Sequence, residues 1–81
     1  LIDQAYTVVS RDPKKAEQLF QQAIDVAPGH PVANLGYAYA RMKQEKTAGL
    51  APYLCIAVRS GDIETQREAR SYLDKLGESC D

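Results

Sequence analysis

The stretches AEQLFQQAI (residues 16–24) and LAPYLCIAV (residues 50–58) place apolar side chains at matching positions, 34 residues apart. The matched pairs are Ala16 with Leu50, Phe20 with Leu54, Ala23 with Ala57, and Ile24 with Val58. Within each stretch the apolar residues recur at the spacing of one helix face. A period of this length is typical of stacked helix–turn–helix units, which present surfaces to other chains and seldom carry chemistry themselves. The repeat therefore predicts an all-α protein with a binding function.

The composition is that of one small soluble domain. The chain has 81 residues, 44% of them apolar, and a net charge of −1 with both signs interspersed. This balance gives no electrostatic footprint for nucleic acid or anionic lipid. No run approaches the ~20 apolar residues that cross a membrane. We expect no nucleic-acid partner, no membrane insertion, and a piece of a longer protein, because Leu1 stands part-way into an apolar helical pattern.

Apolar spacing and turn residues predict five helices and no strand. The predicted helices cover residues 1–10, 13–27, 31–44, 48–60 and 62–76. Asp12 and Asp62 are expected to cap the second and fifth helices. Pro52 is tolerated only near the start of the fourth helix, and Gly36 is expected to let a neighbouring helix approach closely. Because every connection is short, consecutive helices should be antiparallel, with the fifth packed on the fourth.

Signature residues in the second and third helices resemble a known repeat family. The sequence NLGYAY (residues 34–39) resembles the first-helix signature of the tetratricopeptide repeat, in which Leu-Gly is followed by Ala-Tyr. Ala5-Tyr6 is similar to the same Ala-Tyr pair in the preceding unit. The second-helix signature is resembled by Ala16, Phe20, Ala23 and the closing Pro28. The resemblance covers residues 1–60.

The resemblance implies a single solenoid domain with the repeats stacked in a right-handed superhelix. Its first repeat would cover about 1–29, its second about 30–61, its capping helix about 62–77 and its tail 78–81. The second repeat departs from the family pattern, since Leu50, Leu54 and Asp62 replace the usual small residue, aromatic residue and proline. The crossing of its two helices is therefore expected to differ.

The resemblance also implies a scaffold function, with the first helix of each repeat lining a concave groove for a peptide or protein. The groove candidates are Gln4, Thr7, Val8, Ala33, Asn34, Tyr37 and Arg41. Asn34, Tyr37 and Arg41 share one helix face by spacing alone, and together they suit a peptide carboxylate or backbone. An ordinary solvated face is the alternative. Gln4 and Val8 stand where relatives that clamp acidic C-terminal peptides have Lys and Asn, so that activity is not expected.

No motif for catalysis or metal binding is present. His30 is the single histidine and lies in a Gly-His-Pro turn without a carboxylate, thiol or hydroxyl partner at useful spacing. Phosphate-binding loops, nucleophile motifs and paired metal ligands are absent from the sequence. We therefore expect no enzyme activity, cofactor, metal or small-molecule substrate.

The two cysteines are Cys55, inside an apolar helix, and Cys80, close to the C-terminus. In a hairpin turning at Ser60-Gly61, Cys80 would lie roughly 20 Å beyond the residue that faces Cys55. A disulfide requires much closer Cα atoms. The sequence thus predicts a buried, reduced Cys55 and an exposed Cys80. Free thiols fit a reducing compartment such as the cytoplasm, while a periplasmic or secreted location stays open.

Two functions from different classes remain open. The chain is either a binding module for a protein or peptide, or a structural or oligomerising end piece of a longer repeat protein, with its binding site outside this fragment. The apolar stripe of the first helix distinguishes them. If the second helix covers Leu1, Ile2 and Val9, the domain can stand alone, and otherwise a further repeat or a second copy is needed.

Overall fold

The computed structural model describes residues 2–80, which form five α-helices and no strand. The helices are Ile2–Val8 (α1), Pro13–Val26 (α2), Pro31–Lys43 (α3), Ala51–Ser60 (α4) and Ile63–Leu76 (α5). The predicted all-α class is confirmed. The helix bounds agree with the prediction within a few residues, and the largest shift is at α4, which begins at Ala51 rather than Ala48.

Three of the helix starts are fixed by side-chain caps. The Oδ1 atoms of Asp12 and Asp62 accept hydrogen bonds from the backbone N–H of Lys15 (3.1 Å) and Thr65 (2.8 Å). Each bond satisfies one of the N–H groups that a helix leaves unpaired in its first turn. At the start of α3, the Nδ1 atom of His30 accepts a hydrogen bond from the backbone N–H of Ala33 in the same way, at 3.3 Å. The histidine is therefore a structural cap.

Helix α3 lies at the centre of the fold. Consecutive helices pack against each other, and α1 and α5 each also approach α3, whereas α2 and α4 have no close backbone approach within residues 2–80. One apolar cluster joins α3 to α1 and α2, and a second joins α3 to α4 and α5. Helix α5 packs on α4, as the sequence predicts.

Three residues at the signature positions of α2 and α4 lie in the core. Phe20 and Leu54 are fully buried and Ala23 is 8% exposed, so the predicted burial of all three is confirmed. Gly36 lies directly against the ring of Phe20, which fills the space that a side chain on Gly36 would need. The prediction that Gly36 permits close helix approach is therefore also confirmed.

The prediction that both cysteines are free is wrong. Cys55 and Cys80 form a disulfide, with their Cα atoms 5.5 Å apart. Cys55 is buried and Cys80 exposed, as predicted, but the pairing removes the argument from free thiols to a reducing compartment.

The tail reaches Cys55 because the chain reverses at the end of α5. Gly77 takes the left-handed conformation, with φ of +69°. The N–H groups of Gly77 and Glu78 donate to the carbonyl oxygens of Asp74 and Leu73, at 3.1 and 2.9 Å, and close the helix. Glu78 to Cys80 then fold back toward α4. The sequence argument continued the tail along the axis of α5, and so overlooked what a glycine at this position permits.

Candidate functional site

The third-helix residues predicted to line a groove are mostly buried. Ala33 is fully buried, and Asn34 is 1% exposed. The Nδ2 group of Asn34 donates to the carbonyl oxygens of Pro28 (3.0 Å) and His30 (2.8 Å), and so holds the turn that precedes α3. Its Oδ1 atom is buried without a hydrogen-bond partner within the described residues. The NH2 group of the Asn34 amide is thus used to hold the fold.

Tyr37 and Arg41 face α2 and α4. The ring centroid of Tyr37 lies 4.5 Å from that of Tyr53 on α4, and burial raises the pKa of the Tyr37 hydroxyl. Nη1 of Arg41 forms an ion pair with Oε2 of Glu17 on α2, at 3.2 Å. The other carboxylate oxygen of Glu17 accepts from Nε2 of Gln44, at 2.8 Å. These side chains attach α3 to its neighbours.

The first-helix candidates have a different environment. Gln4 and Thr7 are exposed and Val8 is half-buried. The hydroxyl of Thr7 donates to the carbonyl oxygen of Asp3 at 2.8 Å, within the same helix. The predicted residues on α1 therefore lie at or near the surface, whereas those on α3 are buried or half-buried in the helix packing.

A different group of side chains joins α1, α3 and α5 at the surface. We call it the tyrosine row, and it consists of Tyr6, Tyr39 and Tyr72. The rings of Tyr39 and Tyr72 stack with centroids 5.7 Å apart and planes 10° from parallel. The hydroxyl of Tyr6 reaches the carbonyl oxygen of Val32 on α3, at 3.4 Å, and its side chain is 36% exposed. The rings of Tyr39 and Tyr72 thus meet directly, while the ring of Tyr6 packs edge-on against Phe20 of α2, with centroids 4.9 Å apart.

Glu68 on α5 adds a carboxylate to the tyrosine row. The hydroxyl of Tyr72 donates to Oε2 of Glu68 at 3.1 Å. Burial, followed by the negative charge of Glu68, raises the pKa of Tyr6 to about 12 and also raises the pKa of Tyr72. The phenol groups of Tyr6 and Tyr72 therefore stay neutral at physiological pH and act as hydrogen-bonding groups rather than as bases.

Two lysines flank the row. Nζ of Lys43 lies 5.8 Å from the ring centroid of Tyr39, and Nζ of Lys75 lies 5.8 Å from that of Tyr72. Such cation–π contacts are worth roughly 0.5–1 kcal/mol at exposed sites. The surface thus combines aromatic area, hydroxyl groups and two exposed cations. This combination suits binding of another chain, since a ring face supplies apolar area and a lysine can pair with a carboxylate.

Only part of the tyrosine row was recognised from the sequence, namely the matching Ala-Tyr pairs that contain Tyr6 and Tyr39. Its three members are spaced by 33 residues, from Tyr6 to Tyr39 and from Tyr39 to Tyr72. The apolar pattern of the even-numbered helices has a period of 34, so a search at that period does not align the tyrosines. A separate search on the odd-numbered helices would have placed one tyrosine on each.

An open apolar cleft lies where α1 begins and α2 ends. It has a volume of about 380 Å³ and is lined by Ile2, Asp3, Ala23, Val26, Ala27 and His30. Val26 is 82% exposed and Ile2 is half-buried, whereas Val9 is 5% exposed. The first-helix stripe is therefore covered at Val9 and partly bare at Ile2, and Leu1 lies outside the described residues.

Comparisons with protein-family models, curated proteins and solved structures give no match for this chain. Among residues 2–80, the helices are too short and too polar to cross a lipid bilayer. Function is therefore inferred from the surfaces of the chain itself.

Proposed function

We propose that this chain is a non-catalytic protein-interaction module of the tetratricopeptide-repeat type, which binds a segment of another protein on the surface formed by α1, α3 and α5. The observation that carries the proposal is the asymmetry of the helix contacts. Helix α3 is approached by both α1 and α5, while α2 and α4 stay apart. A row of helices that is closer together on one side curves toward that side, and the inner surface of such a curve is where helical repeats bind their partners.

The chemistry of this inner surface supports binding. Tyrosine is enriched at protein interfaces because its ring supplies apolar area at small conformational cost while its hydroxyl stays polar. The tyrosine row offers three such rings, with Lys43 and Lys75 beside two of them. Gln4 and Thr7 on α1 extend the surface. Asn34, Tyr37 and Arg41 would support it from within by fixing α3 against its neighbours.

Selection of ligands from a random peptide library, followed by mapping of the bound peptide by NMR, tests the proposal without a known partner. We expect the largest chemical-shift changes at the tyrosine row and at exposed residues of α1. A Lys43→Glu, Lys75→Glu double variant should weaken binding of the selected peptides at least roughly tenfold, since two cations become anions within the site.

The matched control is Lys14→Glu, Lys15→Glu, which makes the same charge change at two exposed positions of α2. The control should leave binding within about twofold, because surface charges far from a site act only through weak, screened fields. If the selected peptides contact α2 and α4 instead, or if both variants lose binding equally, the inner surface is not the binding site.

The cleft beside Ile2 supports the alternative that the chain is a structural or oligomerising end piece. Val26 is a large apolar side chain left 82% exposed, next to the bare part of the first-helix stripe. An apolar surface of this kind is typically covered by another chain or a further repeat. Under this alternative the chain should self-associate in sedimentation experiments, and Val26→Lys should restore the monomer while Gln22→Lys, an exposed position on the same helix, should not.

A further inference from the structure

The C-terminal tail is attached to the fold chiefly by its disulfide. The backbone N–H of Glu78 donates to the carbonyl oxygen of Leu73. Among the described residues, no hydrogen bond is made to Ser79 or Cys80. Glu78, Ser79 and Cys80 are all exposed, and they lie beside Arg70 and Asp74 of α5. The tail therefore runs back over α5 and is fixed at its far end by the bond to Cys55 on α4.

Helix α5 is the last helix and packs on α4 and α3 along one side, where Tyr72 and Leu76 are half-buried against the apolar cluster. Its buried residues are Thr65, Ala69 and Leu73, of which only Leu73 has a large apolar side chain. Apart from Ile63, its exposed residues are charged or polar, namely Glu64, Arg67, Glu68, Arg70, Ser71, Asp74 and Lys75. A terminal helix that is packed along one side only can open at lower free energy than the centre of a fold.

We propose that the Cys55–Cys80 disulfide is a redox latch that holds α5 against α4, and that its reduction loosens α5 while α1, α2 and α3 stay folded. The cross-link connects residues 25 apart in sequence, and the segment between them contains the whole of α5. Closing this loop lowers the entropy of every state in which α5 has left α4, while helices outside the loop gain no such constraint.

The reductant is a dithiol, and the exchange is balanced. A thiolate of the dithiol attacks Sγ of the exposed Cys80, the Cys80–Cys55 bond breaks, and Cys55 leaves as a thiolate that takes up a proton. The second thiol of the dithiol, as a thiolate, then attacks the sulfur of the mixed disulfide that belongs to the dithiol. Cys80 leaves as a thiolate and takes up a proton. Two electrons pass from the dithiol to the protein, and the dithiol becomes a disulfide. Attack at Cys80 is favoured because Cys55 is only 7% exposed.

The latch has a consequence for the surface described above, because α5 carries Tyr72 and Glu68. When α5 loosens, Tyr39 loses its stacked partner and Tyr6 loses the nearby carboxylate. In an oxidising compartment, where disulfides persist, the tyrosine row would be complete. The opening of α5 itself does not depend on what this surface binds.

Amide hydrogen exchange of the full chain tests the latch without any partner. The oxidised chain, the chain reduced with dithiothreitol, and a Cys80→Ser variant are compared. Reduction should speed exchange of the α5 amides by at least roughly tenfold relative to those of α2, because α5 lies wholly inside the closed loop and α2 lies wholly outside it. Cys80→Ser should match the reduced chain and should not respond to dithiothreitol. Ser79→Ala, a neighbouring exposed position, should match the oxidised chain.

Three results would overturn the latch. The first is thiol titration of the oxidised chain that finds two free cysteines. The second is exchange in α5 that does not change on reduction, which would mean that its packing alone holds it. The third is equal acceleration in α2 and α5, which would mean that the disulfide stabilises the whole domain and has no local action. A loss of peptide binding on its own would not be counted, so failure of the latch and failure of the proposed function remain distinguishable.

Discussion

The ring of Phe20 occupies the position that a side chain at residue 36 would take. A Cβ atom added to Gly36 would lie 2.7 Å from Cδ1 of Phe20 and closer still to two other ring atoms. Because Phe20 is fully buried, its ring has no free space into which to move. The contact between α2 and α3 therefore depends on the absence of a side chain at one residue and on the flat shape of another.

Gly36→Ala should destabilise the domain, although alanine favours a helix by about 1 kcal/mol relative to glycine. Overpacking of a buried contact costs typically about 1–3 kcal/mol, so the steric loss outweighs the gain. Chemical denaturation measures the difference. Gly29→Ala is the matched control, because a Cβ there meets nothing within 4 Å. A stabilised Gly36→Ala variant would show that α2 and α3 are farther apart than described.

Phe20→Ala should lower the free energy of unfolding by roughly 3–5 kcal/mol, the usual loss for a large buried aromatic residue. The total stability of a small domain is of similar size to this loss, so the variant should be largely unfolded at about 37 °C. The control is Gln18→Ala on the exposed side of the same helix, where a change within about 0.5 kcal/mol is expected.

In the Gly36→Ala background, Phe20→Leu should lower the free energy of unfolding by less than it does in the wild type, since the smaller side chain relieves the contact.

Alkaline pH should weaken the fold through the tyrosine row. Burial and Glu68 raise the pKa of Tyr6 from 10.0 to about 12, so between these pH values the unfolded chain loses a proton that the folded chain keeps. The contribution of Tyr6 is therefore complete below pH 10 and is lost as the pH rises to about 12. The raised pKa of Tyr72 acts in the same direction. Unfolding curves measured across this range should show the decline.

Glu68→Gln provides the matched test of cause. Removing the carboxylate charge should lower the pKa of both Tyr6 and Tyr72, because Glu68 raises both. Glu64→Gln removes the same charge one turn earlier on α5 and should leave the pKa values of both tyrosines unchanged. Phenolate absorbance follows the ionisation directly. Equal effects of the two substitutions would mean that net charge, and not contact with Glu68, sets these pKa values.

Asp62 should contribute a pH-dependent part of the stability of α5. Its hydrogen bonds with Thr65 lower the pKa of the carboxyl group, so the contribution is present above the ordinary value of 3.8 and is lost as the pH falls through the lower folded value. Asp62→Asn keeps a cap of nearly equal quality and should remove this acid dependence. Asp62→Ala removes the cap itself and should lower the melting temperature at neutral pH. If Asp62→Asn and Asp62→Ala gave identical melting curves at every pH, the capping role would be contradicted.

The sequence predicted the elements well because each helix is specified locally. Asp12 with Pro13, and Asp62 at the start of α5, are start signals that depend on near neighbours only. The surfaces were harder, since helical spacing identifies which residues share a face without identifying what covers that face. Tyr37 was placed toward solvent because Leu35 and Tyr39 account for one packed side of α3, yet a central helix is packed on several sides.

The tail illustrates a second limit of local reasoning. Gly77 is a recognisable helix stop, but its sequence does not state the direction in which the following residues continue. Glu78, Ser79 and Cys80 form a segment without a periodic pattern, and only the tertiary position of Cys55 explains their path. Pairing of two cysteines 25 residues apart thus required the packing of α5 on α4 together with the turn at Gly77.

Asn34 separates a structural role from a binding role more sharply than any other predicted groove residue. Its Nδ2 group donates to the carbonyl oxygens of Pro28 and His30 in a position with 1% exposure. Asn34→Ala removes both bonds, although the carbonyl oxygen of His30 keeps its bond from the backbone N–H of residue 34. An acceptor left unsatisfied costs roughly 1–3 kcal/mol, so we expect a loss of at least about 1 kcal/mol in the free energy of unfolding. Gln4→Ala removes an exposed amide on α1 and should change stability by less than about 0.5 kcal/mol. If Asn34→Ala kept full stability and lost binding of selected peptides, the amide of Asn34 would be a ligand-contacting group and the burial of this face would have to be reconsidered.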